Sequence, residues 1–185
     1  MIDLQGHGES SGEAITIGYL EKHDIRAAVA FARNEHPGEP VAVIGVSLGG
    51  AAAVLGSPLD IDALVIESVY PNVSDAIGNR VSAILGPFAA IPTALLTVQL
   101  KPRLGISPSQ LRPIDFMSKL ECPVFVLSGT QDVHTTEQET LAMFDTAVEP
   151  KELWLVDGAA HVDLQQHVPE EYRKRVLSFL ETHLD

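Results

Sequence analysis

The chain has 185 residues, 45% of them hydrophobic, with one cysteine and 12 Lys plus Arg against 25 Asp plus Glu. That length suits a single globular domain with a sizeable core. A net charge of −13 and the lack of any basic run speak against a nucleic-acid surface. Cys122 alone cannot close an internal disulfide, and without a CxxC or a His/Cys cluster no metal is expected. The first residues, Met-Ile-Asp-Leu-Gln-Gly-His-Gly, form neither a basic leader nor an apolar run, which favours the cytoplasm.

In chain order, Ile25, Ala28, Val29 and Ala32 recur at helical spacing, with Glu21, Lys22, Arg26 and Arg33 elsewhere on the wheel. Four apolar runs, Val41 to Val46, Ala63 to Ile66, Val124 to Leu127 and Leu153 to Val156, lack polar alternation. Strands covered on both faces of a parallel sheet have this signature. Between the second and third runs, Pro71 to Pro113 carries six of the twelve prolines. Within it Val81 to Leu100 bears no formal charge and has the length of a membrane-spanning helix. Gly86, Pro87 and Pro92 interrupt it, so two short apolar helices with a break are expected instead. This insertion is read as a cap over a pocket, because its apolar content needs something to cover.

Further along, Thr136 and Glu139 have the spacing of a helix capping box ahead of Leu141, Phe144 and Val148. The last helix is expected to open at Pro169 and to carry Tyr172, Val176, Phe179 and Leu180 inward. Strands alternating with helices predict an α/β domain over residues 1–185, with a mostly parallel sheet and the cap at about 71–113.

Gly45-Val46-Ser47-Leu48-Gly49 joins the first apolar run to the small-residue stretch Gly50 to Leu55, giving a strand, a sharp turn and a helix. A serine at such a tip needs a strained backbone, and glycines two before and two after it are expected to let strand and helix approach. The Leu48 N–H then faces the same space from the helix start, where a developing negative oxygen is favoured. A serine hydroxyl becomes a nucleophile only when a base takes its proton, so a histidine and an orienting acid are needed. Asp132 lies just past the third strand and His161 just past the fourth, both at carboxyl-end loops where sites of such sheets assemble. The order Ser47, Asp132, His161 is that of nucleophile-elbow hydrolases.

Each assignment has a plainer rival. Asp132 could cap the helix that follows, with Glu67 at the end of the second strand as the alternative acid. His134, two residues past Asp132, is expected in a solvated loop, with a place lining the entrance as the alternative, and His7 in a glycine-flanked turn whose shape it fixes. His161 and His167 lack zinc-ligand spacing, and Cys122 reads as a small inert hydrophobe. With neither a G-x-G-x-x-G order nor a P-loop lysine, no nucleotide or other cofactor is expected.

With these residues in place the chain resembles the α/β-hydrolase family, in particular its small serine hydrolases and esterases. The likeness rests on Asp3-Leu4-Gln5-Gly6-His7-Gly8-Glu9-Ser10, similar to the family's turn after its fourth strand, on Gly45 to Gly49, on Gly129 to Asp132 and on Gly158 to His161. The resemblance implies Ser47 as nucleophile, Asp132 as acid, His161 as base and the Leu48 N–H as one oxyanion donor. It implies a small-molecule ester with a short or medium acyl group as substrate, and a cap at Pro71 to Pro113. Ser47 excludes the haloalkane-dehalogenase branch, which needs a carboxylate there. A thioesterase, amidase or acyltransferase would use the same three residues.

Family members usually place three strands, a helix and a His-Gly-containing loop before the turn that here begins at residue 3. The run Val41 to Val46 should therefore present an unpaired apolar edge. The loop that normally gives the second oxyanion donor is not in this chain, and one lost donor costs about 100- to 1000-fold in rate. A homodimer that buries the edge is expected. A catalytically weak unit, serving assembly or belonging to a longer chain, is the alternative.

Overall fold

A computed structural model describes residues 1–184. Strands β1 (Ala42–Val46), β2 (Ala63–Glu67), β3 (Val124–Gly129) and β4 (Lys151–Val156) pair in parallel in chain order. Parallel neighbours need a crossover, and helices supply each one. α1 (Glu21–Glu35) precedes β1, α2 (Leu48–Gly56) links β1 to β2, and α6 (Glu137–Thr146) links β3 to β4. The connection from β2 to β3 runs through α3 (Val73–Leu85), α4 (Ala90–Leu104) and α5 (Ile114–Met117). After β4 come the single turn α7 (Leu164–His167) and the closing helix α8 (Pro169–Leu184).

Alternate strand residues feed two cores, as the pleat dictates. Leu64, Ile66, Val124 and Val126 pack with Ile25, Val29 and Met143 on one face of the sheet. Ala63, Val65, Phe125 and Leu127 meet Tyr172, Val176 and Phe179 of α8 on the other. The Phe125 and Phe179 rings lie 5.3 Å apart. Burying each such large side chain contributes about 1.5–3 kcal/mol. The inward face expected for α8 is therefore observed, and so are the four parallel strands.

Several boundaries differ from expectation. β4 starts at Lys151, two residues before its apolar run, because Lys151 and Glu152 pair with Val124 and Phe125 of β3; the Lys151 ammonium donates to the carbonyls of Phe144 and Ala147 at 3.0 and 2.9 Å and lies 4.6 Å from the centre of the Phe144 ring. α6 opens on the Thr136–Glu139 capping box as expected but stops at Thr146, leaving Val148 outside it and exposed.

The segment between β2 and β3 breaks where the prolines and glycine predicted. α3 ends at Leu85, a tight turn covers Gly86–Phe88 with Gly86 at φ 53°, and α4 begins at Ala90. Pro92 falls in the first turn of α4, where its missing N–H has no helical partner to lose. Among the described residues no helix is long and apolar enough to cross a membrane. Asn79 of α3 donates to both Glu139 carboxylate oxygens at 2.8 and 2.9 Å, which ties this segment to the start of α6. Phe88, Ile91, Leu95 and Leu96 of this segment are all exposed, Phe88 at 81%.

β1 is an edge strand, and its Ile44 and Val46 are 50% and 49% exposed, the open apolar border that the sequence led one to expect. A groove of about 420 Å³ runs along it, lined by Ile2, Leu4 and Val29 as well as by β1.

Candidate functional site

All four strands point the same way, so the turns after β1, β2, β3 and β4 gather at one end of the sheet. The turn after β1 holds Ser47 at φ 49° and ψ −112°, a left-handed conformation that costs a non-glycine residue about 1–3 kcal/mol. The Ser47 N–H donates to the Glu67 carbonyl at 2.7 Å, and the Ser47 carbonyl accepts from Ala51 at 2.9 Å, so both sides of the strained residue are tied down. Leu48 is the first residue of α2, with its N–H among the helix's free donors.

Two glycines allow this turn, though not the pair expected. A Cβ on Gly45 would sit 2.6 Å from the Gly50 Cα, and one on Gly50 would sit 2.6 Å from the Gly45 carbonyl oxygen. Gly49 has open space around it, so Gly45 and Gly50 make the close approach of strand and helix.

Asp132 and His161 are in contact. His161 Nδ1 lies 2.7 Å from Asp132 Oδ2, and the Asp132 side chain is wholly buried while that of His161 keeps 23% of its surface. Asp132 Oδ1 accepts the N–H groups of His134 and Thr135, both at 2.8 Å. Burial pushes the Asp132 carboxyl up, but the bond from His161 and the two backbone donors outweigh it and leave its pKa below the ordinary value. An ionised carboxylate only accepts, so it is Nδ1 of His161 that donates in this bond. The α6 N-terminus is capped by Thr136, not by Asp132.

The Ser47 hydroxyl stands at the same end of the sheet but, among the described residues, makes no hydrogen bond to His161; such contacts often close only with substrate present. Glu67, the rival acid, is 2% exposed and accepts from the Leu164 N–H at 3.2 Å rather than from a histidine. Burial raises its pKa, against the opposing pull of the Leu164 donor.

His134 departs from the solvated position expected of it. It is half-buried, its ring meets that of His161 edge-on with centroids 5.4 Å apart, and burial together with the Arg80 charge lowers its pKa. The signal for this was its place two residues past Asp132, inside the turn that the aspartate ties. His7 does shape its loop, with Nδ1 3.0 Å from the Gln5 carbonyl. The thiol of Cys122 is pushed up to about 11 by burial, in keeping with an inert role. Among the described residues no three His, Cys, Asp or Glu side chains group to hold a metal.

A parallel sheet with a strained serine between its first strand and the following helix defines the α/β-hydrolase class. Within it, the family model described as "Serine aminopeptidase, S33" matches residues 1–108, more than half of the chain, and the chain belongs to that family. The protein YqkD of Bacillus subtilis, described as uncharacterized, is 24% identical over 191 residues, covering 99% of this chain and 62% of that protein. The "Alpha/beta hydrolase domain-containing protein WAV2" of Arabidopsis thaliana is 29% identical over 192 residues, covering 99% of this chain and 60% of its own. This chain thus spans about three fifths of the length of these curated relatives. Among solved structures, the Pyrococcus furiosus esterase Pf2001 superposes with a TM-score of 0.76 at 26% identity over 99% of this chain and 70% of that one. An esterase from Thermogutta terrifontis gives a TM-score of 0.67 at 16% identity, covering 99% and 79%, a likeness of fold alone.

Proposed function

We propose that the protein is a serine hydrolase that cleaves carboxylic esters with short or medium acyl groups through an acyl-enzyme. The observation that carries this reading is the 2.7 Å contact of His161 with the buried Asp132, at the sheet end that also presents Ser47. In this reading His161 Nε2 takes the Ser47 proton as Oγ attacks the carbonyl carbon. The Leu48 N–H receives the negative oxygen of the tetrahedral intermediate. His161 then returns the proton to the departing alcohol. Water, deprotonated by His161, opens the acyl-serine and frees the acid, and His161 hands that proton to the departing Ser47 Oγ. Asp132 keeps the imidazole in the tautomer that can do this. No cofactor takes part.

The segment 71–113 acts as the cap on the acyl side, and the protein works in the cytoplasm as a homodimer that covers the Ile44 and Val46 edge. A second reading, a catalytically weak unit used in assembly, draws on that same open edge. The two separate in one experiment. Ser47→Ala should abolish nitrophenyl-ester turnover and fluorophosphonate labelling. Survival of either removes Ser47 from its role, and a wild-type protein that never labels supports assembly. Light scattering at micromolar concentration should show twice the chain mass; a stable monomer removes the dimer.

A further inference from the structure

Glu67 is a carboxylate closing an otherwise apolar strand whose five residues are all buried. Its two functional groups reach in different directions. Its backbone carbonyl accepts the N–H of Ser47 at 2.7 Å, which helps hold that residue in its left-handed conformation. Its side-chain Oε1 crosses to the segment after β4 and accepts the N–H of Leu164 at 3.2 Å.

Leu164 is fully buried, lies three residues past His161, and is the first residue of α7, where the N–H has no partner in its own helix. The near side of the same loop is held from β3: Gln131 N–H donates to the Ala159 carbonyl at 2.8 Å, and Gly158 N–H to Thr130 Oγ1 at 2.9 Å. The loop that presents His161 is therefore pinned at its start by the turn carrying Asp132 and at its end by Glu67.

We propose that Glu67 is a positioning residue, which through its carbonyl and its side chain sets the nucleophile turn and the loop of the base at a fixed spacing. The inference rests on the serine-hydrolase reading and extends it to a residue outside the triad. Glu67 acts as an accepting oxygen and not as a second acid for His161, whose Nδ1 is taken by Asp132. Burial, which raises its pKa, agrees with a role that needs no charge, and the Tyr172 hydroxyl, Asp163 and His161 are the groups that face it.

The test compares Glu67→Leu, which removes the acceptor, with Glu67→Gln, which keeps an oxygen there without a charge. Nitrophenyl-ester kinetics, fluorophosphonate labelling and circular dichroism are read on each. Displacing a catalytic group by about 1 Å costs about 100-fold. Glu67→Leu should accordingly lose about 10- to 100-fold in kcat with KM changed less than about twofold. Glu67→Gln should restore kcat to within about threefold of wild type and leave the pH profile of kcat/KM unmoved, because the oxygen that holds the loop is back. A folded Glu67→Leu protein with wild-type kcat overturns the proposal, as does a Glu67→Gln protein no better than Glu67→Leu. If Glu67→Leu does not fold, Glu67→Gln decides alone: near-wild-type kcat and an unmoved profile support the proposal, and a lost kcat overturns it. A wild-type protein that neither labels nor turns over ester overturns the hydrolase reading together with this one. A labelled wild type indifferent to both substitutions overturns this inference only.

Discussion

β1 and β3 are alike in sequence and unlike in surroundings. Both are short apolar runs, yet every residue of β3 is buried between two neighbouring strands, whereas β1 has a neighbour on one side only and leaves Ile44 and Val46 half in solvent. The comparison teaches that an apolar run marks a strand covered on its faces and says nothing of whether its edges are paired. It also separates two ends of the site, since the open strand delivers Ser47 while the enclosed one delivers Asp132.

The largest expected effect falls on the enclosed side. Asp132→Asn turns the acceptor of His161 into a group that can donate, favouring the wrong tautomer, and kcat on a nitrophenyl ester should drop by about 10⁴-fold with the fold intact. A drop of less than tenfold would show that Glu67 or another group orients the imidazole.

Core substitution sharpens the contrast between the strands. Leu127→Ala, at a fully buried site in β3, should cost about 2–5 kcal/mol in urea unfolding. Ile44→Ala, at a half-exposed site in β1, should cost below about 1 kcal/mol in the same assay. Equal costs would mean that β1 is covered in solution, and a cost that grows with protein concentration would identify a second copy as the cover.

Acid response is a smaller effect with a definite sign. The Asp132 carboxyl titrates lower folded than unfolded, so its stabilisation is complete above its unfolded pKa of about 3.9 and is lost as pH falls through the lower folded value. Wild type should therefore lose stability between pH 5 and about pH 3 more steeply than Asp132→Asn. Glu67 titrates in the opposite sense: its raised pKa makes its contribution fade as pH rises through the folded value. Glu67→Gln should lack that fading, so its Tm relative to wild type should rise between pH 4.5 and pH 8; parallel curves would exclude the raised carboxyl.

The sheet was legible in the sequence because strands covered on both faces are built on continuous apolar runs, and Ala63 to Ile66 in β2 and Val124 to Leu127 in β3 are such runs. The start of β4 was not, since Lys151 and Glu152 are polar and join the strand through backbone pairing with Val124 and Phe125. The elbow could be placed from its glycines, but that Gly50 rather than Gly49 makes the close approach depends on the direction α2 takes from Ser47, which spacing alone does not encode. The contact of Asp132 with His161 was foreseeable from the places of both residues just after neighbouring strands. The half-burial of His134 and the reach of Glu67 were not legible: the first follows from the turn that Asp132 ties, and the second from a bond to Leu164, 97 residues away along the chain.

Glu139 serves two masters. The same carboxylate that accepts the Thr136 N–H at 2.7 Å, closing the first turn of α6, also receives both bonds from Asn79 of α3, and Asn79 reaches the His134 carbonyl at 3.3 Å as well. The backbone from His134 to Glu139 is therefore held from two sides, by the Asp132 carboxylate within its own turn and by Asn79 from a distant helix.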